Sequence, residues 1–526
     1  MSGDTMTMIR PLLRSAHLET VTGSHRPCPT FCLPLPQSSA GQSRRETRTR
    51  LGFRRAVLPQ HAAGADPHHS QRKRHYSIGS IEQFSSRKTT RPATASQAKR
   101  YFAKTALKPT IVKDSHVAYG GKLVDFAGYA LPVQYSSSAM NAGDAAERNK
   151  HALSIVDSVK WTRESCSLFD VSHMCSLSWH GRDATEFLET MCVADVQALA
   201  PGQGGLSLLT SATGGIIDDT MITKLYGGGQ EEEYFLKQGT SIGGDSVGNS
   251  SSTHDSCIYQ VINAGCADKD LDHLKKHLET FTSSGKDCRL RVHWDERGLF
   301  ALQGPQAAGV LERLAKQSVA KFGFGSAFFL DLVGTPCLIA RGGYTGEDGF
   351  EIFAPKEVAC QVWDGLLEDD AVRLAGLGVR DALRLEAGLC LYGHDIHEET
   401  TPVEASLLWT IAKTRRSGTR ANFLGAEPVL KQVAEKSDSK RRVGLVVEGP
   451  VPAREGMDLL DPASGNKIGV VTSGRESPVL GTKIAMGYLN KPFNKIGSSV
   501  KVKIRSKTAD AKVVKMPFVE TRYYKV

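Results

Sequence analysis

The chain is 526 residues long, with a formal charge of +10, 40% apolar residues and 23% charged residues. That length accommodates two or three domains with full cores, and the composition excludes collagen, coiled coil and a wholly disordered chain. No run approaches the ~18 consecutive apolar residues of a membrane-spanning helix.

The charge is unevenly placed. Residues 1–110 hold 19 Lys and Arg against five acids, a net of +14, which leaves −4 for the remainder. The leader, residues 1–102, is rich in Ser, Thr, Arg and His, poor in acids and without a long apolar core. This is the composition of a mitochondrial transit peptide and not of a secretory signal, so a matrix location is expected. Arg74-His75-Tyr76-Ser77 and Arg100-Tyr101-Phe102-Ala103 both set an Arg ahead of an aromatic-then-small junction. The second lies nearer the globular body, which makes Ala103 the expected mature start. A basic tail that touches nucleic acid is the competing reading of the same residues.

The globular body begins near residue 108. Residues 136–160 are small and polar and read as a loop insertion. Phe187, Leu188 and Met191 sit at helical spacing, as do Leu271, Leu274 and Leu278. Short β-rich runs at 216–223, 258–262, 337–340 and 350–353 alternate with these helices and predict an α+β body over 108–432. Residues 227–255, Gly/Ser-rich with acids at Glu231–Glu233, read as a second loop insertion, interrupting a hairpin between Ile222 and Tyr259. After Arg441 the helical period disappears. Runs at 443–447, 467–472, 482–488, 499–504 and 511–514, separated by turn residues, predict a small β-barrel over 441–526.

The eleven cysteines contain no C-x-x-C pair, and nine of them, outside the leader, read as buried small hydrophobes of a reducing compartment. No metal site is implied. There is no P-loop, no dinucleotide fingerprint, no H-E-x-x-H and no G-x-S-x-G. Chemistry must come from isolated carboxylates, amides and arginines.

Asp218 and Asp219 lie adjacent in the apolar run Ile216–Ile222. On a strand they point to opposite faces, Asp219 with Ile217 and Met221, Asp218 with Ile216 and Thr220. Burying either unpaired is costly, so each caps a strand end or faces a pocket. In Gly342–Ile352, Asp348-Gly349 supplies a turn, after which Phe350 and Ile352 share one face and Glu351 the other. Either Glu351 accepts hydrogen bonds from an amino-heterocycle or the hairpin is plain and the Glu exposed. On the predicted helix 377–391, Arg380 and Arg384 are one turn apart and suit carboxylate recognition, while Asp381–Arg384 pairing is the alternative. His173, His394 and His397 titrate near neutrality or serve as structural partners. Met174 reads as core filler.

The segments SLFDVSHM (167–174), GGIIDDTMIT (214–223), VINAG (261–265), ALQGPQA (301–307), GGYTGEDGFEI (342–352), GLGVRDALRLEAGLCLYGHDI (376–396), TTPVEASLLW (400–409) and KMPFV (515–519) occur in order. Together they resemble the aminomethyltransferase, or T-protein, family of the glycine cleavage system, over about 108–526. The resemblance implies a three-domain cloverleaf, with a two-lobed folate-binding core and a C-terminal β-barrel around a tetrahydrofolate channel. It also implies transfer of a methylene carbon from the aminomethyl-lipoyl arm of H protein to tetrahydrofolate, with release of ammonia. No metal, nucleic acid or membrane is implied as a partner. By the same resemblance Asp219 is the catalytic aspartate, stabilising positive charge and relaying a proton near the folate N5/N10 edge. Glu351, Arg380 and Tyr523 match folate contacts, Asn263 a pterin-binding amide and Met174 a channel wall. A folate-binding iron–sulfur assembly factor of the same fold carries a K-G-C-Y-x-G-Q-E signature, which GLCLYGHDIHEETTPVEA lacks. A nucleic-acid- or membrane-associated scaffold rests only on the leader's charge. The cluster Lys413, Arg415, Arg416 and Arg420 is either a docking patch for an acidic carrier or a solvated loop.

Overall fold

The computed structural model describes residues 106–137, 149–225, 240–242 and 256–526. All lie in the second of two compact units, Thr94–Val526. The leader and both expected cleavage junctions fall outside the described residues.

Two six-stranded sheets form the core. The first runs Gln203–Thr210, Ile216–Lys224, Ser256–Ile262, Cys175–Gly181, Arg289–Val292 and Thr240–Ile242, antiparallel throughout. The second runs Ala327–Leu332, Thr335–Arg341, Gly349–Pro355, Arg297–Gln303, Cys166–Asp170 and Val372–Leu374, with only the last pair parallel. Helices Ala184–Met191 and Ala267–Ser283 cover the outer face of the first, burying Phe187, Leu188, Leu274 and Leu278 against Trp179 and Ile258. Helices Ala307–Ala315 and Lys356–Leu367 cover the second, around Phe300, Trp363 and Leu366.

The inner faces meet each other. Along Arg297–Gln303 the period of two is plain: Phe300 and Leu302 face the helices, while Leu299 and Ala301 join Tyr259, Val261, Leu338 and Phe353 between the sheets. Tyr259 and Phe353 cross that gap edge to face, with ring centroids 4.6 Å apart. The helix Leu377–Glu386 closes one side, adding Val379 and Leu383 to the same cluster.

A closed barrel follows, in the order Lys440–Val447, Lys483–Asn490, Lys467–Glu476, Asp458–Leu460, Ser499–Ile504 and Lys507–Val514. Two sheet lobes and a barrel are therefore the three bodies expected of the α+β cloverleaf. Asp458–Leu460 was illegible because three residues are too few to show alternation. Residues 515–526 then return to the core: Phe518 N–H donates to the Glu386 carbonyl (2.9 Å) and Arg522 N–H to the Gly346 carbonyl (2.8 Å).

Both supposed insertions hold regular structure. Ser154 caps the helix Ile155–Glu164, accepting from Asp157 N–H at 3.1 Å, so the last part of 136–160 is helical and not loop. Its Ser-rich approach hid a capping residue. Within 227–255, Thr240–Ile242 adds an edge strand beside Arg289–Val292. The hairpin partners are as expected, with Ile222 opposite Gln260 and Thr223 opposite Tyr259.

Candidate active site

A cavity of about 1500 Å³ opens where the inner sheet faces, the 387–399 connection, the barrel and the C-terminal tail converge. Asp219, Asn263, Met174, Glu351, Arg380 and Tyr523 all line it. The chain supplies them from six separate segments.

Asp219 reaches the wall through a bulge. Leu209 pairs with Asp218 and Thr210 with Ile216, which leaves Ile217 as the extra residue. Ile217 therefore packs with Ile222 under the helices, and Asp219 shares its face with Met221 alone. Strict alternation, which put Ile217 beside Asp219, fails at this point. The strand start is held by close approach of the 397–400 segment. A Cβ on Gly215 would lie 1.7 Å from the Glu398 carbonyl oxygen, and Ile216 N–H donates to the Thr400 carbonyl.

Asn263, at the end of Ser256–Ile262, joins the two acids. Its Nδ2 donates to Asp219 Oδ1 (3.0 Å) and to Asp218 Oδ1 (2.8 Å), while its backbone N–H donates to Asp218 Oδ2 (2.9 Å). Burial, and then the neighbouring Asp218 charge, pushes the Asp219 carboxyl up to about 7.

Glu351 projects from Gly349–Pro355 on the face opposite Phe350 and Ile352, as its spacing predicts. Burial raises its carboxyl above the usual range, against the pull of the Arg380 charge. Arg380 lies with its guanidinium carbon 4.5 Å from the centre of the Tyr344 ring, within the field of both Glu351 and Asp219. Neither side chain makes a hydrogen bond to another described residue. Asp381 does not pair with Arg380; its carboxylate meets Arg384 (2.7 Å) and Arg475 (3.3 Å). The alternative weighed for the helix thus holds for Arg384, while Arg380 is left to the cavity.

Tyr344 is a wall residue the sequence reading passed over. Its hydroxyl donates to the Cys390 carbonyl and its ring carries Arg380. A Gly-rich loop signalled close packing but not which residue it served. At Gly343 (φ +155°) a Cβ would lie 2.0 Å from Gln303 Oε1, so the loop folds tightly over Gln303, which also accepts from Thr345 Oγ1 at 2.8 Å.

Tyr523 reaches the cavity because the tail is bolted down on both sides. Arg522 donates to Glu347 Oε1 (2.7 Å), Phe324 N–H donates to the Tyr524 carbonyl (2.7 Å), and Tyr523 lies against Phe324 at 4.2 Å. Arg341, paired with Asp348 through two nitrogens, backs the Tyr524 ring.

The histidines divide. His173 lines the cavity but is buried, and burial with the nearby Arg380 charge lowers it to about 4, so it is neutral at physiological pH. His394 pairs at the surface with Glu455 (2.7 Å). Of the nine described cysteines, Cys360 is exposed and the other eight are buried. Among the described residues no group of three or more His, Cys, Asp or Glu is placed to hold a metal, and no helix is long and apolar enough to cross a membrane.

The basic cluster is not a patch. Arg415 is fully buried and donates to the carbonyls of Glu189, Cys192, Ala194 and Arg420. Arg416 donates to the Leu408 and Ile411 carbonyls, and Arg420 pairs with Glu189 (2.9 Å) and Asp195 (2.6 Å). Arg415 and Arg420 thus bind the 408–420 loop to the first lobe, while Arg416 braces the loop against its own carbonyls.

The GCVT N-terminal domain model matches residues 112–247 and 250–415, and the glycine cleavage T-protein C-terminal barrel domain model matches 440–520. The chain belongs to the glycine cleavage T-protein family. It is 46% identical over 430 residues to the mitochondrial aminomethyltransferase of Solanum tuberosum, covering 81% of this chain and 94% of that protein. The probable mitochondrial aminomethyltransferase of Schizosaccharomyces pombe is 42% identical, over 80% of this chain and 96% of that one. The crystal structure of the glycine cleavage system aminomethyltransferase T from Bartonella henselae superposes with a TM-score of 0.66 at 35% identity, over 80% of this chain and all of that one. As a T-protein family member the chain is an enzyme of one-carbon transfer, and the iron–sulfur and scaffold readings are not favoured.

Proposed function

We propose that the cavity takes tetrahydrofolate and the aminomethyl-lipoyl arm of an H protein in the mitochondrial matrix, and that Asp219 acts at the reacting atoms. The observation that carries this is the convergence of Asp219, Asn263, Glu351 and Arg380 on one cavity with ample room for a folate, with Glu351 and Arg380 left without protein hydrogen-bond partners. Charged groups that line a cavity and have no protein partner are free to take a ligand that supplies one.

The donor set fits a folate. A carboxyl accepts from an amino-heterocycle, a guanidinium suits a carboxylate or a ring oxygen, and Tyr523, Met174 and Tyr344 offer flat or pliant apolar surface. Tetrahydrofolate supplies the two nitrogens that accept the carbon. Glu351 and Asn263 orient the heterocycle, Arg380 balances the carboxyls on the wall, and Tyr523 closes the cavity from the tail. Asp219, ionised above about pH 7, stabilises positive charge that develops at the transferred carbon and exchanges a proton with the departing amine. Asn263 fixes its rotamer. Water kept from the enclosed wall leaves that charge poorly screened.

The overall balance is aminomethyl-lipoyl H protein plus tetrahydrofolate giving 5,10-methylenetetrahydrofolate, ammonia and dihydrolipoyl H protein. Incubating full-length protein with aminomethyl-loaded H protein should release ammonia only when tetrahydrofolate is present. Ammonia release that ignores folate, or none with both substrates, overturns the reading.

A further inference from the structure

Behind Asp219, off the cavity wall, a second acid pair is sealed. Asp218 on Ile216–Lys224 and Asp270 in the first turn of Ala267–Ser283 are both fully buried. Asp218 has its donors: Asn263 supplies one to each of its oxygens. Asp270 has none, for neither carboxyl oxygen receives a hydrogen from any described residue.

The groups facing Asp270 are few. Asp218 and Asp219 face it from the strand, Cys175 from the neighbouring strand, and Cys266 and Lys269 from the start of its own helix. Lys269 is the one cation among them, at 4.0 Å, and its ammonium is already engaged. It donates to the Ile217 carbonyl (2.6 Å) and the Tyr392 hydroxyl (2.8 Å), and pairs with Glu398 (3.0 Å). Those partners use all three of its hydrogens. A sealed carboxylate with no donor does not stay ionised, whereas a carboxylic acid beside a carboxylate satisfies both groups with a single proton. Both oxygens of Asp218 already accept, so Asp218 is the ionised member and the proton belongs to Asp270.

We infer that Asp270 is a positioning residue that stays protonated at neutral pH. Its carboxyl O–H donates to Asp218, which holds Asn263 and, through it, the rotamer and proton affinity of Asp219. The direction of titration agrees: burial and then the Asp218 charge raise Asp270 far above the carboxylate range. The pair therefore carries one fixed negative charge behind the wall. The role rests on the reading of Asp219 above, but the protonation state does not.

Two measurements on full-length protein test it. The infrared difference spectrum of wild type minus Asp270→Asn at pH 8 should show the C=O stretch of a protonated carboxyl, shifted in D₂O. No such band lost on substitution overturns the inference whatever Asp219 does. In the H-protein assay Asp270→Asn keeps a donor toward Asp218 and should retain kcat within about twofold, with an unshifted acidic limb. Asp270→Leu, similar in volume and without a donor, should lose about ten- to a hundredfold in kcat with less change in the KM for folate, the scale of one hydrogen bond to a charged group. Equal turnover in the two variants, or a shifted limb in Asp270→Asn, removes the positioning role. Should Asp270→Leu not fold, the infrared band and the Asp270→Asn pH profile decide. An Asp219→Asn variant with wild-type turnover marks instead a failure of the earlier reading.

Discussion

Arg384 and Arg380 stand one turn apart on the same helix and have opposite surroundings. Arg384 donates to Asp381, to Asp395 (2.6 Å) and to Ser473 Oγ (3.0 Å), and Asp395 in turn accepts from Thr472, Ser473 and the Leu391 N–H. Arg163, a short way off, bridges Glu347 (2.7 Å) and Glu386 (2.8 Å). These charges are closed on one another and join helix, loop, tail and barrel. On the cavity side, Arg380 faces Glu351 and Asp219 at hydrogen-bonding distance of neither. Where a buried charge has its full set of partners it is a joint. Where the same residue types are held near one another and left open, they are free to take a ligand, as proposed above.

The sharpest test of the open side is Asp219→Asn, which keeps the shape and the approach of Asn263. Turnover should fall by about 10²–10⁴, the range of a lost acid–base group, while folate affinity measured by fluorescence stays close to wild type. In wild type the same group should give an acidic limb near pH 7, with activity falling as the carboxylate is protonated. The stability sign is the reverse. An acid raised in the folded state binds its proton more tightly there, so the folded state loses stability as pH climbs from about 4 to about 7. Asp219→Asn should therefore raise the Tm relative to wild type at pH 8 and leave it unchanged at pH 4. A larger gain at the lower pH contradicts the assignment.

The closed side should respond in stability and not in chemistry. Asp395→Ala leaves Arg384 buried without its main counter-charge, and opening such a pair costs about 3–5 kcal/mol. Urea unfolding should register that loss, whereas kcat of the protein still folded should stay within about threefold of wild type. A variant of full stability and no activity would place Asp395 in the site instead.

How legible this division was depends on range along the chain. Asp219, Glu351 and the helix bearing Arg380 could be read because each sits in a periodic element whose faces follow from spacing. Resemblance to a family added that they face one cavity, which no local pattern could show. The bulge at Ile217 was hidden because a single extra residue leaves composition unchanged. The burial of Arg415 was hidden because three of its acceptors are carbonyls more than 200 residues away. Asp270 drew no notice in the sequence because an acid in a helix's first turn is ordinary, and its lack of any donor is visible only in the fold. Sequence exposes what a residue can bond to; which bonds are already taken is a property of the fold.

On the open side a smaller change than Asp219→Asn is expected at Arg380. Arg380→Gln keeps a polar stem and removes the charge, so the KM for tetrahydrofolate should rise about ten- to a hundredfold with a lesser change in kcat. Because Arg380 also lowers the Glu351 and Asp219 carboxyls, the acidic limb should move upward in pH. An unmoved limb would mean that Arg380 binds ligand without steering the acid.

The weakest effect belongs to the loop for which a docking patch and a solvated loop were both open. Of its four basic residues only Lys413 is exposed with no ion pair among the described residues; Arg415 and Arg420 are closed on the first lobe, and Arg416 on the Leu408 and Ile411 carbonyls of the loop itself. Lys413→Glu should change stability by no more than about 0.5 kcal/mol and leave the KM for H protein within about twofold. Arg415→Leu, by contrast, strands several carbonyls of the first lobe and should destabilise by amounts comparable to those expected at the Arg384 joint. If Lys413→Glu alone raised the KM for H protein tenfold at low salt and the effect vanished at high salt, the loop would be a carrier contact after all, and closure of its neighbours would be how that contact is held in place.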